Sequence, residues 1–88
     1  VTGSDPRGLL NGVYALLERL GWGFYLSYDA APAPRREAFS FEGWNLADKP
    51  VFRDRVIFQW HNFLSSASTW ELEDWQRWID GASRMRYN

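Results

Sequence analysis

A helix pattern close to the amino terminus does most to limit what this chain can fold into. Asp5-Pro6 is a strong start signal, with Asp as N-cap and Pro at the first helical position. From Arg7 to Leu20 the residues Leu9, Leu10, Val13, Leu16, Leu17 and Leu20 recur at three- and four-residue steps. That spacing gathers them on one stripe that has to be covered. Asn11, Glu18 and Arg19 lie largely off the stripe, and Gly21 stands where a left-handed C-terminal cap is expected. Gly8 and Gly12 each lower helix propensity by about 1 kcal/mol relative to Ala. Two readings of this four-residue pair stay open: close approach of a neighbouring backbone, or simple tolerance.

After this helix the character changes twice. Phe24-Tyr25-Leu26 reads as a strand, and a strand–helix–strand order, with the first strand expected upstream of Val1, implies a parallel or mixed sheet that the helix covers. Asp29 to Glu37, with Ala30-Ala31-Pro32-Ala33-Pro34-Arg35-Arg36 at its centre, has no period and reads as a linker or exposed loop. Phe39-Ser40-Phe41 alternates as a brief strand would, and Trp44 to Pro50 is irregular. Val56-Ile57-Phe58-Gln59-Trp60 is a second strand, nearly continuous in apolarity and so expected to be covered on both faces. A Ser-rich loop from Asn62 to Thr69 leads to a second helix, Trp70 to about Arg86. Ser68 with Glu71 fits a capping box for it, with Thr69 as the alternative cap. Its expected buried stripe is Leu72, Trp75, Ile79 and Ala82, widened by Trp78 and Met85. Glu71, Glu73 and Asp74 at its start and Arg84 and Arg86 at its end suit the helix dipole.

Composition removes several functions. A net charge of -1 with no sustained basic face argues against a nucleic-acid binder. The absence of cysteine rules out a disulfide framework or thiolate metal site, and a single histidine cannot build a histidine-rich one. No cofactor is expected. No apolar run approaches the roughly 20 residues of a membrane span. Six tryptophans are the unusual feature. Core packing accounts for most of them, but flat aromatic faces beside a few polar groups also line sugar sites. Eighty-eight residues bury only a modest fraction of their surface, so the margin of stability is thin. The abrupt ends at Val1 and Asn88 read as those of a piece cut across a domain boundary.

The residues best placed to meet a ligand are Trp60, His61 and Asn62, at the end of the second strand. His61 can be a ligand contact, a structural histidine bonded to a loop carbonyl, or simply exposed. Trp60 can stack on a ligand or plug the strand end, and Asn62 can bond the backbone of its own turn. Hydrolysis by a carboxylate pair needs two carboxyl groups facing one bond, roughly 5–9.5 Å apart. Glu71, Glu73 and Asp74 instead open a helix, where acids serve the dipole. Ser65, Ser66 and Ser68 read as a polar loop, with no strained nucleophile turn beside them. Trp44 reads as packing, and Arg7 as a tie at the helix start.

Asp5-Pro6-Arg7-Gly8-Leu9-Leu10-Asn11-Gly12-Val13-Tyr14-Ala15-Leu16-Leu17-Glu18-Arg19-Leu20-Gly21 resembles the D-x-RG-x-x-x-GVY-x-x-L-E-x-LG helix of a small α/β domain. That domain precedes the catalytic barrel of several glycoside hydrolases, among them β-hexosaminidases, α-glucuronidases and α-N-acetylglucosaminidases. Pro50-Val51-Phe52-Arg53-Asp54-Arg55 is similar to the P-x-F-x-x-R segment that leads into the first barrel strand. Trp60-His61-Asn62 resembles the Trp-Asp-Asn that closes that strand in α-glucuronidases, with His in place of Asp.

The resemblance implies an α/β fold in three parts. Residues 1–29 would end an accessory α/β domain, 30–50 would connect, and 51–88 would start a (β/α)8 barrel, with two main helices in all. Trp60, His61 and Asn62 would then lie at the strand-end mouth of an active site that binds an oligo- or polysaccharide. The catalytic carboxylates would come from later strands, so these 88 residues alone would be inactive. Such enzymes often act outside the cytoplasm, which implies a secreted or periplasmic protein. The alternative is a small self-contained α/β module that binds carbohydrate or protein through exposed tryptophans.

Overall fold

A computed structural model of the chain describes residues 1–35, 38–59 and 66–88, with only the backbone of Ser66. Among the described residues the regular structure is two α-helices, a two-stranded antiparallel sheet and a short 3-10 turn, a small α/β arrangement.

Helix α1 runs Pro6–Arg19. Asp5 caps it in an extended conformation, its Oδ1 accepting from Gly8 N at 2.6 Å. The helix closes in a Schellman motif, with Gly21 N donating to Glu18 O at 2.9 Å and Trp22 N to Leu17 O at 3.0 Å. Gly21 has φ of +100°, the left-handed conformation the sequence anticipated. The Gly8/Gly12 question resolves toward close approach, because the N-terminal residues fold back over this face. A Cβ on Gly12 would sit 2.8 Å from Val1 Cγ1, and one on Gly3 would collide with the Leu9 and Gly8 backbone.

The chain then turns into a hairpin. Strand β1, Gly23–Phe24, pairs antiparallel with β2, Asp29–Ala30, in the register Gly23↔Ala30 and Phe24↔Asp29. Tyr25 N donates to Tyr28 O at 3.0 Å and closes the turn. This corrects the expected strand over Phe24-Tyr25-Leu26. The pairing is local and antiparallel, not part of a parallel or mixed sheet among the described residues, and Tyr25 and Leu26 belong to the turn. Asp29 and Ala30 are therefore in the hairpin, not in loose chain. Tyr14 of α1 meets Phe24 edge-on, centroids 5.3 Å apart, and fastens helix to hairpin.

Phe39-Ser40-Phe41 is not a strand. Phe39, Phe41 and Trp44 form a cluster of perpendicular rings with centroids 4.7–5.5 Å apart. Trp44 is half-buried under the Arg19 guanidinium, 5.0 Å from its ring centroid, so the connecting segment packs on the end of α1.

Val56 to Gln59 joins no ladder among the described residues. Arg55, Ile57 and Gln59 are half-buried and Val56 and Phe58 exposed, the period-two alternation of extended chain with one covered face. The expectation of cover on both faces does not hold, since Val56 is 72% exposed.

Helix α2 runs Leu72–Arg84, shorter at both ends than the sequence pattern. Its N-cap is Glu71, whose N–H donates to Asp74 Oδ2 at 3.1 Å. The cap thus lies three residues beyond Ser68, because Ser66–Thr69 are taken up by a 3-10 turn. Of the expected stripe only Ala82 is buried, while Leu72 and Ile79 are 72% and 56% exposed. Gly81 is buried instead, and a Cβ there would lie 2.5 Å from Leu26 O, so α2 docks on the hairpin turn backbone to backbone. Arg84 clinches this contact with an ion pair to Asp29 at 2.9 Å.

Little of this is a closed core. Ala67 and Ala82 are the buried apolar residues among those described. The accessible surface is 7629 Å² for a 10.3 kDa chain. A compact monomer of that mass exposes about 5,400 Å², about 2,200 Å² less. The Cα radius of gyration is 16.2 Å, against about 12 Å for a compact domain of this length.

Candidate functional site

Trp60, His61 and Asn62, the expected substrate-contact residues, lie outside the described residues, as does Ser65. The described chain stops immediately before them at Gln59, and Gln59 lines a cleft of about 660 Å³. The opposite walls are the hairpin turn, with Tyr25, Tyr28 and Asp29, and the entry to α2, with Trp70 before the helix and Asp74 and Trp78 on it. The volume is that of a small-molecule site, within the range of about 300–1,000 Å³.

The walls are aromatic. Tyr25 and Tyr28 stack at 4.7 Å with a 23° interplanar angle, and both are exposed on their outer side. Trp70 meets Trp75 edge-on at 5.0 Å and Trp78 at 6.2 Å, a cluster that fixes the α2 side. Polar groups alternate with the rings. Asp29 is paired with Arg84, Asp74 Oδ2 accepts from Glu71 N, and Arg77 has only a 3.8 Å ion pair to Glu73 between exposed side chains. Two donors closed to solvent, Trp78 Nε1 and Arg84 Nε, have no hydrogen-bond partner among the described residues, and both residues line this cleft.

The acidic residues at the start of α2 serve the helix, as the sequence suggested. Glu71 caps, Asp74 returns the capping bond and Glu73 faces solvent. Among the described residues no three His, Asp or Glu side chains converge as a metal site would require. No described helix is long and apolar enough to cross a membrane. Arg7 lies on a second, larger cleft of about 970 Å³ beside Lys49 and Arg53. It makes no hydrogen bond or ion pair among the described residues.

At the opposite end of the Arg55–Gln59 segment is a junction that the sequence did not signal. Asn88 N donates to Arg55 O at 2.9 Å, Arg55 N to Asn88 Oδ1 at 2.7 Å, and Asn88 Nδ2 to Arg53 O at 2.9 Å. Arg55 Nε donates to Arg86 O at 2.8 Å and Nη1 to Phe52 O at 2.8 Å. Extended chain, helix and the Asn88 end of the described chain are thereby closed into one unit, whose far end holds the aromatic cleft.

No family model, curated protein or solved structure matches the chain.

Proposed function

We propose that this chain is the junction of a carbohydrate-active enzyme, joining the end of an accessory α/β domain to the first β/α unit of a (β/α)8 barrel. The parent would hydrolyse glycosidic bonds, on α-glucuronidase-like or N-acetylhexosaminidase-like substrates. The observation that carries this reading is the Arg55–Asn88 clasp. In a β/α barrel the residue after each helix starts the next strand, beside the start of the strand before it. Asn88 follows α2 and bonds Arg55, the first residue of the extended segment before α2. On this reading the clasp is the first rung between barrel strands one and two.

Two further features support it. The cleft lies at the Gln59 end of the segment, the C-terminal end where barrel enzymes keep their sites. Trp60, His61 and Asn62, next in sequence, would extend its wall and contact the sugar. The uncovered surface of Leu72, Ile79 and Val56 is what neighbouring strands and helices would cover. A self-contained binding module would leave it in water.

The coding sequence on either side of these 88 residues tests the proposal. Further strand–helix units within about 250 downstream residues, with carboxylates at strand ends, are the expected result. A reading frame that closes after Asn88 removes the proposal.

A further inference from the structure

We infer that the cleft between the Tyr25–Tyr28 turn and α2 is a binding subsite for an uncharged sugar ring of an oligosaccharide, distinct from the contacts assigned to Trp60, His61 and Asn62. The inference rests on the carbohydrate reading above and adds to it the accessory hairpin as a contributor and the charge class of the ring.

The hairpin side is built for this. Tyr25 and Tyr28 lie parallel, so each covers one face of the other and the outer face remains as a platform. Tyr25 can close over the strand because residue 23 is Gly. A Cβ there would meet the Tyr25 ring at 2.9 Å. Aromatic faces take the C–H side of a pyranose ring, while its hydroxyls need neighbours that both donate and accept. Gln59 offers both functions, Asp29 and Asp74 accept, and Arg77 donates.

Charge decides which ring. The cleft is lined by two carboxylates, Asp29 and Asp74, and two guanidiniums, Arg77 and Arg84. They cancel, and Asp29 and Arg84 already neutralise each other at 2.9 Å. Arg77 is shared with Glu73 at 3.8 Å, so the cleft holds no surplus of positive charge, which a uronate or a phosphorylated ligand would need. A ring carrying only hydroxyls needs none. Rigid placement of the wall by Gly81 against Leu26 keeps the platform and α2 at fixed separation.

The test is calorimetric titration of the whole protein carrying this chain with xylohexaose, cellohexaose, mannohexaose and hexagalacturonate. One neutral hexasaccharide should bind at least tenfold more tightly than hexagalacturonate. Tyr28→Ala should weaken that binding about tenfold, and Tyr28→Trp should hold it within about threefold. Arg77→Ala, at an exposed position that folding does not depend on, should weaken it about threefold and covers the case in which Tyr28→Ala fails to fold. Tightest binding of hexagalacturonate, unchanged affinity in both Tyr28→Ala and Arg77→Ala, or no binding of any of the four would overturn the inference. Binding without hydrolysis of any glycoside would remove the enzyme reading and leave the subsite standing. Hydrolysis with both variants binding like the wild type would do the reverse.

Discussion

The side chain and backbone of Asn88 grip Arg55 from both directions, its N–H donating to Arg55 O at 2.9 Å and its Oδ1 accepting from Arg55 N at 2.7 Å. Thirty-three residues separate the two in sequence, and α2 is the element between them. The pair sets the start of the extended segment, so it indirectly sets where Gln59 arrives at the cleft.

Asn88→Asp and Asn88→Ala separate the two halves of this grip. Aspartate keeps the acceptor for Arg55 N and loses the donor to Arg53 O. Alanine loses both, at about 1 kcal/mol for each bond. Amide hydrogen exchange at Arg55 should accelerate about thirtyfold in Asn88→Ala and about fivefold in Asn88→Asp. Equal acceleration in the two variants would mean that the Oδ1 contact does not hold this segment.

Gly81→Ala sets two effects against each other. Alanine is a better helix former by about 1 kcal/mol. Its Cβ would have to fit 2.5 Å from Leu26 O, a backbone atom that cannot swing aside. Overpacking of this kind costs about 1–3 kcal/mol, so the clash wins. Far-ultraviolet circular dichroism should show α2 retained, while the near-ultraviolet signal from Tyr25, Tyr28 and Trp78 falls as the turn comes off the helix. An unchanged near-ultraviolet spectrum would contradict the docking.

Arg86 occupies a position usually given to glycine. It has φ of +66° at the end of α2, where Arg86 N donates to Ser83 O and Tyr87 N to Ala82 O in a second Schellman motif. The left-handed conformation costs about 1 kcal/mol without glycine. Against this, its guanidinium pairs with Glu18 at 2.6 Å. Both side chains are about a third exposed, which limits the pair to about 1 kcal/mol or less. Arg86→Gly should therefore leave protection of the Tyr87 amide within about threefold of wild type, the two terms offsetting. Arg86→Ala keeps the strain and loses the pair, and protection should fall about fivefold. A stabilised alanine variant would show that the pair contributes nothing.

What could be read from the sequence follows from where each interaction's partner lies. Asp5, Pro6 and Gly21 act within one turn of themselves, and α1 appears with the expected caps. The second helix was equally plain as a period. Its start was misplaced because Ser68 and Glu71 satisfy the capping-box spacing that Glu71 and Asp74 use instead. The sheet is not legible locally, because strand pairing depends on a partner that a local pattern does not specify. Phe24 found Asp29, five residues on, before any distant strand. The clasp and the left-handed Arg86 gave no local signal, since an ordinary Asn and Arg carry them. The cleft was half legible. Its tryptophans stood out in composition, but the Tyr25–Tyr28 stack depends on a turn that the strand assignment hid.

On the proposal above, these 88 residues are one part of a larger barrel fold and do not complete a core among themselves. Differential scanning calorimetry of the isolated 88-residue chain, with sedimentation at several concentrations, tests it most directly. The account predicts no sharp endotherm and association that grows with concentration, driven by Leu72, Ile79, Val56 and their apolar neighbours. A monomer that unfolds in a single two-state transition, with the enthalpy of about 60 kcal/mol expected of a complete domain this long, would contradict it.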